Sequence, residues 1–503
     1  MEKTSAALRS EIKFLCQLIL CIRLLTGPVQ AEVSLPKIIG NNMVLQQGKA
    51  VAVWGRAAAG ELVAVEFHGQ LKKTTAGAAG SWKVMLDPMP VSLTPSVMTI
   101  TGSNQITLEN ILVGEVWLCS GQSNMEYTMR KNSKVVRMED MREAPVDELE
   151  QASNTAIRLF LVTSKNLRNP DPAHLGWSPA RDSALRSFSA AGYFFAKELW
   201  DQLRVPIGVI SSAVPGSAIE PWLDGTIDVD EPDNNAPVLK IDERVPGKFF
   251  PTMVAPLSPF GIRGFLWYQG ETNCFQNETA VYTGKMKALI EGWRRLWADD
   301  GLPFYYVQIA PFYYSKSAGK YPLTPETLPL FWEAQTAALH IPRTGMAVTT
   351  DLITTPDDLH PAYKWEVGRR LALWALADTY GKKIVSSGPL YKQMKTVKGT
   401  VELEFDYTGA GLMSKNGLSL KAFEIAGEDG KFVPARAVIR GDKVVVSSPA
   451  VAKPLQVRFE WTEAGKANFY NKNGLPAVPF RTGQLRRVDQ YRVVRINAQP
   501  VKS

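Results

Sequence analysis

The 503-residue sequence predicts an α/β core, a parallel sheet wrapped by helices, bracketed by two all-β modules. Three observations predict it. Both ends of the chain carry short alternating runs separated by Gly, Pro and Ser, the grammar of small antiparallel strands. In the middle, apolar strand-like runs alternate with segments of helical period. The length also exceeds the roughly 250 to 300 residues at which one hydrophobic core stops growing, so two or three domains are expected. With 45% apolar and 21% charged residues the composition is that of a globular protein, which excludes disorder as the main state.

Residues 1–31 carry Lys3, Arg9 and Lys13, an apolar run from Phe14 to Leu25, and then Val29-Gln30-Ala31. This is the layout of a signal peptide with a small-x-small cleavage site, and it predicts export to the periplasm or beyond. Gln17 and Arg23 interrupt the run, which falls short of the roughly 20 apolar residues that span a bilayer, so no stable membrane span is expected. Residues 32–110 read as a β module with strands at Val51–Trp54, Leu62–Phe67, Val97–Thr101 and Ile106–Leu108. From 384 to 503 the same pattern returns. Val401, Leu403 and Phe405 alternate on one face, Leu455, Val457 and Phe459 on another, and Asp429-Gly430 and Gly441-Asp442 supply turns.

The middle, residues 111–383, predicts buried strands at Glu115–Cys119, Ile207–Ile210, Gly264–Tyr268, Phe304–Ile309 and Met346–Thr350. One helix spans Ser189 to Leu203, with Ala191, Phe195, Leu199 and Leu203 on one stripe; a second carries Met286, Ile290, Trp293 and Trp297; a last begins after Pro361.

The net charge of +8 is scattered, with only a mild cluster at Arg481, Arg486, Arg487, Arg492 and Arg495, so nucleic acid is not an expected partner. Of four cysteines only Cys119 and Cys274 lie beyond the presumed signal, which leaves at most one bridge. Four histidines without ligand spacing predict neither metal nor other cofactor.

The polar candidates follow the strands directly: Gly121-Gln122-Ser123-Asn124-Met125, Pro215-Gly216-Ser217, Gln269-Gly270-Glu271-Thr272-Asn273 and Asp357-Asp358-Leu359-His360. Open α/β sheets bind ligands outside the carboxyl ends of their strands, so four loops converge on one crevice. Ser123 sits in a tight turn between strand and helix, the position of an exposed nucleophile with free backbone donors, although a helix-capping serine reads the same way. A serine hydroxyl needs a base. His68 lies in the N-terminal module, His174 in a remote loop and His340 at a helix end, which leaves His360. Its second nitrogen calls for an acid, and Asp357, Asp358 and Asp351 are the alternatives.

These stretches resemble the SGNH, or GDSL-type, hydrolases, and more narrowly the sialate O-acetylesterase family with its acetylxylan esterase relatives. Gly114 to Met125 is similar to the family's first block, Trp267 to Asn273 to its third, and Asp357 to Pro361 to the Asp-x-x-His-Pro of its last. The similarity runs from about Val33 to Arg481 and departs at Pro215-Gly216-Ser217, where relatives carry Gly-Gly-Thr. The resemblance implies a flavodoxin-like, three-layer core and metal-independent deacetylation of a carbohydrate through an acetyl-serine intermediate. It implies an oxyanion hole of Ser123, Gly216 and Gln269, with Asp357 as the orienting acid and Asp358 the alternative. Gln122, Asn124, Glu271 and Asn273 are expected at the substrate. Sialic acid acetylated at the 9-position leads the substrates, a mildly positive protein suiting an anionic sugar. Acetylated xylan is the alternative, and a non-catalytic glycan-binding protein on the same fold is the competing class. Lipid esters fit the polar-aromatic loops less well, though Trp117, Trp222 and Trp267 read as core before sugar platforms.

Overall fold

The computed structural model of the chain describes residues 32–133, 145, 147–162, 176–230, 246–319, 321–465, 467–483 and 492–496. The expected signal segment, His174, Arg486 and Arg487 lie outside the described residues. Its centre is a parallel sheet of six strands: β1 (Gln105–Gly121), β2 (Ile157–Val162), β3 (Ile207–Ala213), β4 (Gly264–Tyr268), β5 (Phe304–Val307) and β6 (Thr344–Ala347). They lie side by side in the order β2-β3-β1-β4-β5-β6, and the short strand Ser178–Pro179 adds antiparallel to β2 at the edge. Without β2 this is the flavodoxin order.

Every residue of β1 from Ile111 to Gly121 is buried, as are all of β3, β4 and β5. A parallel sheet covered on both faces requires such continuous apolar runs, which is why these strands were readable. Helices α1 (Ala190–Leu203) and α5 (Lys364–Trp374) cover one face, with Phe195, Leu199, Val367 and Leu371 in a shared core. Short α2 (Glu271–Phe275) follows β4, and α3 (Tyr282–Trp297) and α4 (Thr327–Ala337) cover the other face through Met286, Ile290, Trp293, Phe331 and Trp332. Each large side chain so buried contributes roughly 1.5–3 kcal/mol. Ser189 caps α1, its Oγ accepting the Gly192 N–H at 3.1 Å.

Several elements differ from the expectations and others agree. The boundary placed at 110/111 falls inside β1, whose first half pairs with Ser92–Thr101 and Val44–Gln46 of the N-terminal region while its second half runs through the central sheet. Strand β2 was not anticipated. Its run is six residues long and follows no helix of strong period, so local pattern alone does not separate it from a loop. Strand β6 spans Thr344–Ala347, so Val348 to Thr350 already belong to the exit loop. Leu455 is 53% exposed and precedes the strand Gln456–Phe459 instead of sharing its buried face. Cys119 and Cys274 are buried free thiols, not a bridge. Trp117, Trp222 and Trp267 are fully interior.

The C-terminal region forms two four-stranded antiparallel sheets, one of them Leu390–Val397, Thr400–Asp406, Lys443–Ser447 and Arg436–Arg440 in spatial order. The last described strand, Arg492–Ile496, returns to the central region and pairs antiparallel with Thr226–Asp230. Among the described residues no helix is long and apolar enough to cross a membrane.

Candidate active site

The chain leaves β1 for one side of the sheet and β4 for the other, so the crevice of this topology opens between their carboxyl ends. There the two strands touch: the Gln122 N–H donates to the Tyr268 carbonyl at 3.0 Å. Gly121 has φ +140°, and a Cβ at that position would lie 2.1 Å from the Tyr268 oxygen. Only glycine lets the turn come this close. The turn throws Ser123 forward as the first residue of a single helical turn, Ser123–Glu126, whose opening N–H has no intrahelical acceptor.

The Ser123 hydroxyl lies 2.8 Å from His360 Nε2. The two residues are 237 positions apart and meet because β1 and the exit loop of β6 end at the same edge. Burial lowers the pKa of His360, the Lys364 charge lowers it further, Asp358 opposes the shift and Lys131 adds to it. The neutral imidazole, the form able to accept a proton, is therefore favoured. His68 bonds Ser96 in the N-terminal region, and His340 Nδ1 lies 3.0 Å from the Ala337 carbonyl at a helix end.

The three acids separate clearly. Asp357 turns away: its Oδ2 accepts from the Thr355 hydroxyl at 2.9 Å. Asp358 accepts the His360 backbone N–H at 2.8 Å, and its charge is the one that favours protonated His360. Asp351 accepts both Arg370 guanidinium nitrogens, at 2.6 and 2.8 Å, and the Tyr470 hydroxyl at 3.1 Å, a fixed structural pair. Of the two adjacent acids, Asp358 is thus the one whose charge bears on the imidazole. The residues differ by one position in an irregular loop, where spacing carries no side-chain direction.

Gly216 is exposed with φ +72°, a Cβ there would meet nothing within 4 Å, and its carbonyl accepts the Thr272 hydroxyl at 3.2 Å. Gln269 is different. It is fully buried, and its Nε2 donates among Asn273 Oδ1 (2.7 Å), Gln122 Oε1 (3.1 Å) and the Ser217 carbonyl (3.2 Å), while its Oε1 accepts from Tyr282 (2.9 Å). Both of its protons are thus engaged inside the protein.

The four residues expected at the substrate, Gln122, Asn124, Glu271 and Asn273, are at most 2% exposed. Asn273 Nδ2 donates to Glu220 and Glu278 at 3.1 and 2.7 Å. Asn124 Nδ2 donates to Glu271 at 2.5 Å and to the Leu359 carbonyl at 3.0 Å. Burial raises the Glu271 pKa, against its own backbone N–H, Asn124 and Lys364. These residues form the floor that joins the loops. Sequence reasoning missed Lys364, which completes that floor. One signal was present: a lysine opens α5, where the helix dipole disfavours a cation. Among the described residues no group of three His, Cys, Asp or Glu side chains could hold a metal ion.

A three-layer parallel α/β fold with a serine and a histidine in hydrogen-bond contact at the carboxyl edge of its sheet defines a hydrolase of the SGNH class. Residues 113–377 match the family model described as carbohydrate esterase, sialic acid-specific acetylesterase, and the chain belongs to that family. The human sialate O-acetylesterase is 30% identical over 499 residues, covering 88% of this chain and 91% of that protein. The mouse protein of the same name is 29% identical over 520 residues, covering 88% and 93%. A solved carbohydrate acetylesterase from Xanthomonas citri is similar with a TM-score of 0.78 and 36% identity, covering 90% of this chain and 99% of that one. The chain is accordingly a carbohydrate esterase acting on O-acetyl groups.

Proposed function

We propose that the enzyme removes acetyl groups from an acidic sugar, with 9-O-acetylated sialic acid as the leading substrate and Ser123 as nucleophile. The 2.8 Å contact between Ser123 Oγ and His360 Nε2 carries the reading. His360 takes the hydroxyl proton as Oγ bonds to the acetyl carbon, and the carbonyl electron pair moves to oxygen. The oxyanion so formed is held by the backbone N–H groups of Ser123 and Gly216. Collapse breaks the bond to the sugar oxygen, which leaves with the proton from His360. Water then repeats the sequence on acetyl-Ser123 and releases acetate. Pro215 offers no N–H, but the donor at its position is supplied one residue later. Gln269 supports the hole from behind through Ser217 and Gln122.

The sialate preference is supported by the names of the human and mouse relatives and by a net charge of +8, which draws in anionic sugars. Export belongs to the same reading and rests on the run from Phe14 to Leu25 followed by Val29-Gln30-Ala31. Acetate release from 9-O-acetyl-N-acetylneuraminic acid, measured beside acetylated xylan, tests the substrate. Faster kcat/KM on the sialate is the expected result. Preference for xylan would reassign the sugar, and no release from either would favour a binding protein.

The acid is tested by a pair of variants. Asp358→Asn should lower kcat by up to about a hundredfold, the scale set by a displaced reacting group. Asp357→Asn should stay near wild type, since its carboxylate serves Thr355. The reverse order in steady-state assays would return the role to Asp357.

A further inference from the structure

We infer that Lys364 is a positioning residue for ester hydrolysis: with Asn124 it grips His360 by the carbonyls on either side and locks the histidine loop to the nucleophile turn. Lys364 Nζ donates to the Pro361 carbonyl at 2.6 Å and to Asn124 Oδ1 at 2.8 Å. Asn124 Nδ2 in turn donates to the Leu359 carbonyl at 3.0 Å and to Glu271. Leu359 and Pro361 are the two neighbours of His360, and Asn124 is the neighbour of Ser123. The loops after β1, β4 and β6 are therefore tied at one point directly beneath the Ser123–His360 contact.

The ammonium is fully buried, 4.8 Å from the Tyr127 ring centroid and 5.1 Å from that of Tyr268. A buried cation is costly unless its donors are satisfied, and the aromatic faces offset part of that cost. Burial pushes its pKa down to about 7, with Glu271 and Asp358 opposing and Lys131 assisting. Those three, His360 and the phenols of Tyr127 and Tyr268, both pushed up by burial, are the charged or titratable groups facing it, from α2, the histidine loop, the segment after the Ser123 turn and the end of β4. The proton on Lys364 is thus held in balance by its surroundings, and its charge also favours the neutral base form of His360.

The proposal rests on the Ser123–His360 reading, and its test separates the two. Lys364→Met keeps the bulk and removes the charge and donors. On an acetyl ester it should lower kcat by about ten- to a hundredfold, the range for a misplaced reacting group, with KM within about twofold. The acid limb of kcat/KM should move to higher pH, because the charge that lowers the His360 pKa is gone. A loss of packing alone would not move that limb. Glu271→Gln is the second variant, should Lys364→Met fold poorly. It keeps an acceptor for Asn124 but removes the charge that favours protonated Lys364, so kcat should fall on the alkaline side at a lower pH than in wild type. A folded Lys364→Met with wild-type kcat or an unmoved acid limb overturns the inference, as does an unchanged alkaline profile in Glu271→Gln. Ser123→Ala assayed in parallel distinguishes the readings: its normal turnover would remove the Ser–His pair itself, whereas its inactivity beside a wild-type-like Lys364→Met removes the clamp alone.

Discussion

Ser123→Ala should fold as wild type and lose acetyl-ester turnover by at least about a thousandfold, the loss seen when a nucleophile is deleted and only the hole and binding remain. Folding should survive because the Ser123 hydroxyl bonds His360, a half-buried side chain, and holds neither strand nor cap. The strong contacts of the turn are made by its neighbours: Gln122 N–H to Tyr268, and the Asn124 amide to Glu271 and Leu359. Thermal unfolding and hydrolysis of a chromogenic acetyl ester, measured on the same preparation, check both halves. Wild-type-like kcat in a folded variant would take Ser123 out of the mechanism.

How far the sequence led can be traced residue by residue. The strand ends were legible because a buried parallel strand is an unbroken apolar run; Ser123 follows the run that ends at Gly121 by two residues, and His360 lies in the exit loop of the strand that ends at Ala347. Side-chain direction was not. Gln269 sits where the family resemblance puts a donor, yet Tyr282, 13 residues on in α3, and Asn273 draw its amide into the interior. Asp357 and Asp358 are adjacent in an irregular loop, so no periodicity says which faces the histidine. The four polar residues of the first and third blocks looked like substrate contacts because polar residues near a nucleophile are usually solvated. Here they are buried because three loops must be fixed to one another, and buried polar atoms that are fully bonded make the join specific.

The C-terminal region takes part in the same fixation. Asp351, at the start of the histidine loop, is held by Arg370 of α5 and by Tyr470, and Glu463 accepts the backbone N–H and hydroxyl of Ser315 at 2.8 and 2.5 Å. Burial would lower the pKa of Arg370, but Asp351 and Glu366 outweigh it and hold the guanidinium charged. The loop that carries His360 is therefore anchored at its beginning by this ion pair and at its end by Lys364. A base that must meet a hydroxyl at 2.8 Å gains from both anchors, since misplacement by about 1 Å can cost a hundredfold in rate.

His360→Ala should cost at least about a thousandfold in kcat, because an un-ionised serine hydroxyl is a weak nucleophile and general-base help alone supplies about 10²- to 10⁴-fold. The pH dependence makes the test specific. In wild type the acid limb of kcat/KM should report His360 with its midpoint below about 6.5, the ordinary value for histidine. The sign follows from the surroundings: burial disfavours the imidazolium first, the positive charge of Lys364 disfavours it further, and Asp358 only partly offsets them. A lowered pKa means the base stays unprotonated as pH falls through neutrality, so the acid limb sets in only when the solution is acidic enough to charge the ring. In His360→Ala the residual rate should rise with hydroxide concentration and show no such limb. A wild-type midpoint above 6.5, or an acid limb that persists without His360, would assign the titration to another group and break the link between this histidine and Ser123.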